Sequence, residues 1–476
     1  MVRLLATLLR SSRATVPVAR PLCFRRGYSA ASGGSDDACL SSKPVAVPKE
    51  DSAPSEESSE SQISKAPFTP TIGPQGMKLP TSSNRYIPAM HLLLRDGCKC
   101  PLCVNQHSKQ RNFRMSDIPK NVKPRSVDWD GETLKVKWEN DIPGFDESHT
   151  SVYSHEELKK PSANYPYSPS GRRRKRQLWG SEHKHRWVTY EEYMNDESTF
   201  SDAMRSLART GLLFVKGIPD SREEVEKIAT RMGPLRNTFY GATWDVRTVP
   251  EAKNVAYTNQ YLGFHMDLMY MNEPPGFQLL HCLQNSCDGG ESLFADSFAV
   301  ANQLRIDDRE AFVTLCNLRL SYEYNHADHV YTNDWPVFQT YRDDKTKATK
   351  LTHANYSPPF QAPMFGKRRS FSPTVNDFEA LNKFANMLED KKYIFELKLN
   401  PGECVIFENR RVLHARRQFN TATGQRWLAG AYVDEDALLS QFAVMSRKYP
   451  EIWFNSKQQS KAESQKEEGQ IKEDES

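Results

Sequence analysis

Two short strings constrain this chain more than anything else in it: Gly263-Phe264-His265-Met266-Asp267, and Leu413-His414, which lies 147 residues beyond Asp267. Side chains two apart on an extended segment project to the same side. His265 and Asp267 can therefore face one point. A second imidazole, His414, would complete a two-histidine, one-carboxylate face if folding returns residue 414 to residue 265. Such a face binds Fe(II) through three protein ligands and leaves positions open. The pattern is short, and the chain contains a rival string, His326-Ala327-Asp328.

The length of 476 residues fits two or three domains. A hydrophobic content of 38% is low for a compact chain, so long disordered stretches are expected. The net charge of +4 argues against a dedicated nucleic-acid binder. No run of 18 apolar residues predicts a transmembrane helix. Three of the nine cysteines crowd into Cys98-Lys99-Cys100-Pro101-Leu102-Cys103. In an intracellular chain such crowding reads as metal binding before disulfides.

Residues 1–34 carry six arginines and no Asp, Glu or Lys, with Ser, Ala and Leu between them. This is the composition of a mitochondrial transit peptide, which predicts a matrix location. Residues 35–80, rich in Ser, Pro, Glu and Lys, read as a disordered linker. Residues 81–160 read as a small β-rich module. Ser126–Trp129 and Thr133–Trp138 are strand-like, and Asp130-Gly131 is a hairpin turn signal. The three thiols suit tetrahedral zinc, with His107 or His149 as the fourth ligand. Residues 161–185 form a Pro-rich and basic loop whose run Arg172-Arg173-Arg174-Lys175-Arg176 is read as solvated. Residues 186–453 carry many short strands with helices before and between them, and 454–476 form a charged disordered tail. In the 186–453 region, Val255–Thr258 reads as a strand, Ser201 as the cap of a helix to Leu207, and Phe378, Leu381, Phe384 and Leu388 as one buried helical face. The predicted class is mainly β with helices, a barrel or jelly-roll core with helical buttresses.

His414 follows the strand Glu403–Glu408, and Arg426 opens the last strand twelve residues later. This arrangement resembles the iron(II)/2-oxoglutarate dioxygenases. Arg95–Cys103, Phe239-Tyr240-Gly241, Asn254–Thr258, Gly276–Cys282, Gly289–Ser292 and Leu413–Arg417 narrow the likeness. Together they resemble the γ-butyrobetaine and trimethyllysine dioxygenase family over about residues 85–445. The resemblance implies a double-stranded β-helix catalytic domain behind a zinc-binding N-terminal domain. It implies that His265, Asp267 and His414 ligate Fe(2+), and that Arg426, helped by Ser292, anchors 2-oxoglutarate. Arg416 and Arg417 are rival cations for that role. It further implies structural Zn(2+) on Cys98, Cys100, Cys103 and His149, ascorbate as reductant, and a homodimer. Tyr240, Trp244, Tyr257 and Tyr432 match an aromatic cage for a trimethylammonium group, while Asn254 and Asn355 match amides at the far end of the substrate. A quaternary ammonium donates no hydrogen bonds, so aromatic faces are its available partners. The expected reaction is hydroxylation of γ-butyrobetaine to L-carnitine, with trimethyllysine as the alternative substrate. A non-catalytic mitochondrial zinc-binding protein is the alternative of another class. Leu268, where the family's butyrobetaine members carry tyrosine, and Glu408-Asn409-Arg410-Arg411 depart from the family pattern.

Overall fold

The computed structural model describes residues 69–81, 85–159, 171–248, 255–343, 347–364 and 373–454. The transit-peptide segment 1–34, Asn254 and the tail beyond 454 lie outside the described residues.

Ten strands of the larger part build two sheets. They are β1 (Trp187–Thr189), β2 (Leu212–Lys216), β3 (Thr243–Val246), β4 (Leu262–His265), β5 (Phe277–Asn285), β6 (Ser292–Asp296), β7 (Ile394–Leu397), β8 (Cys404–Glu408), β9 (Val412–Arg416) and β10 (Arg426–Val433). One sheet runs β1-β2-β8-β5-β10-β3 and the other β4-β9-β6-β7. All pairings are antiparallel except β1 with β2. From β4 to β6 and again from β8 to β10, successive strands alternate between the two sheets.

Strand alternation explains what each face does. In β5, Phe277, Leu279 and Leu283 join the core beneath helices Glu197–Thr210, Glu224–Met232 and Glu435–Lys448. Leu280 and Cys282 point the other way, into a cluster with Phe294 of β6 and Phe407 of β8. With both faces covered, β5 reads as a nearly unbroken apolar run. The second sheet is backed in the same way by helices Ser297–Asp307, Arg309–Asn317 and Val375–Leu388, which pack on Leu293, Ala295, Leu413 and Ala415.

The N-terminal module pairs Lys123–Trp129 with Thr133–Glu139 around the expected turn, and adds Thr150–Ser154 at the edge. It begins earlier than expected. Gly76–Pro80 pairs with Tyr86–Met90 and buries Met77 and Leu79, so part of the presumed linker is sheet.

Several local expectations are corrected. Ser201 lies inside a helix that starts at Glu197. Asp196 caps that helix by accepting from the Ser198 and Thr199 amides, and the Ser201 hydroxyl accepts from the Trp453 indole. Val255–Tyr257 is a 3-10 turn. Phe378 is 56% exposed, because the packed face of its helix runs through Ala380, Phe384 and Leu388. The strand that carries His414, β9, was not anticipated as one. The basic run is not a solvated loop. Arg174 and Arg176 are buried on Glu408 at 3.2 and 2.5 Å, and the Arg174 Nε donates to the Ala208 carbonyl at 2.7 Å. Trp179 donates to the Thr210 carbonyl and is buried. The larger part therefore begins by residue 171, because the buried carboxylate of Glu408 on β8 is paired with these cations. The rival pair His326 and Asp328 sits at the tip of a hairpin between Arg319–Asn325 and Val330–Pro336.

Candidate active site

Cross-strand register brings the first two candidate ligands together: His265, the last residue of β4, pairs directly with His414 of β9. Their rings lie 4.0 Å apart between centroids. Asp267 follows β4 by two residues and turns its Oδ1 to 3.5 Å from His265 Nε2 and 3.9 Å from His414 Nε2. The candidate ligand atoms of the three residues lie within 4.8 Å of one another. The His265 Nδ1–H donates to the Gly263 carbonyl at 2.9 Å, which leaves Nε2 as the free lone pair. Burial would raise the Asp267 carboxyl, but His265, His414 and the Tyr432 hydroxyl outweigh it and hold the group well below the carboxylate range. Burial, with the neighbouring His265, presses His414 down to about 3, so this imidazole is neutral at physiological pH. Two imidazoles around one ionised carboxylate are the donor set of a non-haem Fe(II) site, and the residues fit that ion.

Three contacts hold Asp267 in place. Tyr432 of β10 donates its hydroxyl to Asp267 Oδ2 at 2.6 Å. The fully buried Asn409 accepts from the Asp267 amide at 2.9 Å and donates to the Asp267 and Pro275 carbonyls. Leu268 takes a φ of +57°, an uncommon conformation for a branched side chain, as the chain turns away behind the carboxylate.

A cavity of about 70 Å³ opens from this face, and its walls include His265, Asp267, Ser292, His414, Arg416, Arg426 and all four expected aromatics. Arg426 is buried, and its Nε donates to the Gly290 carbonyl at 3.4 Å. No carboxylate among the described residues pairs with it, and burial lowers it to about 10. Gly290, at φ +78°, leaves the space: a Cβ there would stand 3.2 Å from Arg426 Cδ. The rival cations are resolved by their contacts. Arg417 pairs with Glu396 at 2.9 Å near the surface. Arg416 is buried in the cavity wall, but its guanidinium donates to the carbonyls of Ala256, Thr258 and Gln260 and so pins the turn that presents Tyr257. Among these three, Arg426 has the fork left open for an anion.

Trp244 stacks on Tyr432 at 3.9 Å, and Tyr240 meets Tyr257 edge-on at 6.5 Å. Asn355 does not reach the cavity. It is fully buried, donates to the Pro336 carbonyl at 2.6 Å and accepts from Arg410 at 2.5 and 3.0 Å, so its amide is consumed in positioning Arg410. Gln278 was missed. It lines the cavity at 2% exposure, and its Oε1 has no partner among the described residues. A polar residue inside the apolar run of β5, which also holds His281, was the available signal.

In the N-terminal module, Cys98, Cys100, Cys103 and His149 bring one ligand atom each within 4.8 Å of one another. His149 Nε2 lies 3.5 Å from the Cys98 sulfur and 3.4 Å from that of Cys103, while His107 is exposed and outside the cluster. Asp141 accepts from the His149 Nδ1–H at 2.6 Å and pairs with the buried Arg95. Burial raises both thiols. The His149 ring overrides this at Cys98 and lowers it, whereas the Cys98 charge pushes Cys103 further up. Thiols and an imidazole crowded in this way, with a carboxylate behind the imidazole, fit a tetrahedral cation.

Residues 170–432 match the model of the taurine catabolism dioxygenase TauD, TfdA family, and residues 82–159 match that of the gamma-butyrobetaine hydroxylase-like N-terminal domain. The dioxygenase str8 of Strobilurus tenacellus is 34% identical over 364 residues, covering 72% of this chain and 82% of that protein. The gamma-butyrobetaine dioxygenase of Pseudomonas sp. (strain AK-1) is 31% identical, over 78% of this chain and 94% of that one. The mitochondrial trimethyllysine dioxygenase of Bos taurus is 26% identical, over 75% and 83%.

Proposed function

The chain belongs to the TauD/TfdA family of dioxygenases, and on that premise we propose that it hydroxylates a small trimethylammonium compound, γ-butyrobetaine to L-carnitine, with Fe(II) and 2-oxoglutarate. The observation that carries this reading is that one cavity is lined by a buried guanidinium with no carboxylate partner among the described residues, by aromatic walls, and by His265, Asp267 and His414. His265, Asp267 and His414 would hold the iron, which supplies dioxygen activation coupled to decarboxylation of the co-substrate. The Arg426 fork receives the distal carboxylate of 2-oxoglutarate, with the Ser292 hydroxyl beside it. Tyr240, Trp244, Tyr257 and Tyr432 offer ring faces to the trimethylammonium, each worth up to about 2 kcal/mol when desolvated. Held by its trimethylammonium end, the substrate presents one C–H to the reacting centre, a positioning effect. The alternation of strands between the two sheets supports a double-stranded β-helix. We assign structural zinc to Cys98, Cys100, Cys103 and His149, and mitochondrial import to residues 1–34, which a fusion of that segment to a fluorescent protein tests directly.

Succinate release by the iron-loaded protein, with ascorbate present, tests the substrate. Turnover that depends on γ-butyrobetaine is expected. A higher kcat/KM with trimethyllysine would move the assignment to that substrate. Equal release with and without either compound would overturn the trimethylammonium reading.

A further inference from the structure

A second cavity, of about 540 Å³, lies away from the active site between the basic run and helix Ser297–Asp307. Six cations line it: Arg173, Arg174, Lys175, Arg176, Arg305 and Lys350. No acidic residue lines it among the described residues. Two carboxylates pair directly with the six cations, and Glu435 acts on Arg174 and Arg176 from farther off. Glu408 is shared by Arg174 and Arg176, and Asp343 holds Lys350 at 2.7 Å. Arg173, Lys175 and Arg305 pair with no carboxylate among the described residues. Arg305 is instead oriented by neutral groups, donating to the Thr349 carbonyl at 3.0 Å and to Asn302 Oδ1 at 2.6 Å. Arg173 lies over the Tyr341 ring at 4.5 Å, which leaves its in-plane donors open.

The arginine at the floor adds an independent sign. Arg176 is 7% exposed in its side chain, and its buried Nε has no hydrogen-bond partner among the described residues. Burial and the like charges of Arg174 and Arg411 lower it to about 10. A buried guanidinium with an unmet donor, beneath a cavity open to solvent, is stabilised by an anion that enters from outside. The remaining walls are Phe298, Phe312, Tyr341 and Leu351.

We propose that this cavity binds an organic diphosphate or polyphosphate carrying a planar or apolar body, with the phosphates between Arg173, Lys175, Arg176 and Arg305 and the body against Phe298 and Leu351. The excess charge is spread over two walls. A single carboxylate can meet only one of them, whereas linked phosphates can span both.

Isothermal titration of the iron- and zinc-loaded full chain with ADP, in saturating 2-oxoglutarate, tests this. The expected result is saturable, salt-sensitive binding at one site, weaker binding of pyrophosphate, and no displacement of ADP by decanoate. Arg173→Glu/Lys175→Glu, both near the mouth, should weaken ADP binding by about tenfold or more, through the loss of charge-assisted contacts. Lys175→Ala, at an exposed position, should weaken it in the same direction if the double variant fails to fold. Absence of saturable ADP binding overturns the site, and so does loss of the signal when 2-oxoglutarate is present. Unchanged affinity in the variants overturns its location. Displacement of ADP by decanoate overturns the polyphosphate class.

Discussion

Replacing Arg426 with Met should separate co-substrate binding from stability. The guanidinium is buried, faces no carboxylate among the described residues, and makes one long hydrogen bond, to the Gly290 carbonyl at 3.4 Å, with the Phe419 ring 5.7 Å away. Its fall from an ordinary value of 12.5 to about 10 corresponds to a desolvation cost of roughly 3 kcal/mol. Methionine keeps the apolar stem beneath Phe419 and removes the charge, so apo stability should be unchanged or higher. Binding of 2-oxoglutarate loses a buried bidentate pair. Taking about 3 kcal/mol for its loss, the KM should rise roughly 150-fold. Thermal melts of the apoprotein and succinate release at varied 2-oxoglutarate, with γ-butyrobetaine saturating, read the two effects separately. A KM within threefold of the parent would refute the assignment of Arg426. A marked drop in Tm would refute the claim that its charge is uncompensated in the apoprotein.

Tyr432→Phe keeps the ring stacked on Trp244 and removes the hydroxyl from Asp267, so Fe(II) affinity should fall by about 10- to 100-fold, measured by competition with a chromophoric chelator. Buried His185 and His281, with no partner for either ring nitrogen among the described residues, are lowered by burial to about 3 and about 4. The unfolded chain takes up protons below about 6.5 while the fold resists them, so stability is intact above that pH and declines as pH falls toward 4. Each histidine accounts for roughly 2 kcal/mol between pH 8 and pH 5. His185→Leu should remove its share in urea melts at the two pH values, and an unchanged difference would contradict this. One zinc per chain is expected by elemental analysis, and Cys103→Ser should lose it together with a shift in the emission of Trp129 and Trp138. Full zinc content in that variant would contradict the ligand set.

The grouping of His265, Asp267 and His414 was legible because its chemistry lies in residue type and in two short strings. The aromatic residues and Arg426 were reachable through resemblance, since scattered Tyr and Trp residues carry no spacing rule of their own. Other features were illegible for a physical reason. Gln278 looks like a stray polar residue until β5 is seen to be buried on both faces. Asn355 looks like a substrate amide until its donors and acceptor are found spent on Pro336 and Arg410. The basic run looks solvated because its counter-charge, Glu408, is over 230 residues away. His149 and His107 were both candidates by residue type, the resemblance favoured His149, and the approach of the Thr150–Ser154 edge brings its ring to Cys98 and Cys103.

By itself, then, the sequence determined the ligand types, the apolar strands and the turn signals, because these depend on side-chain chemistry and on periods of two and 3.6 residues. Tertiary structure decided which cation in the cavity wall is left without a partner, which amides are spent and which charges are buried, because each depends on groups brought together from distant parts of the chain.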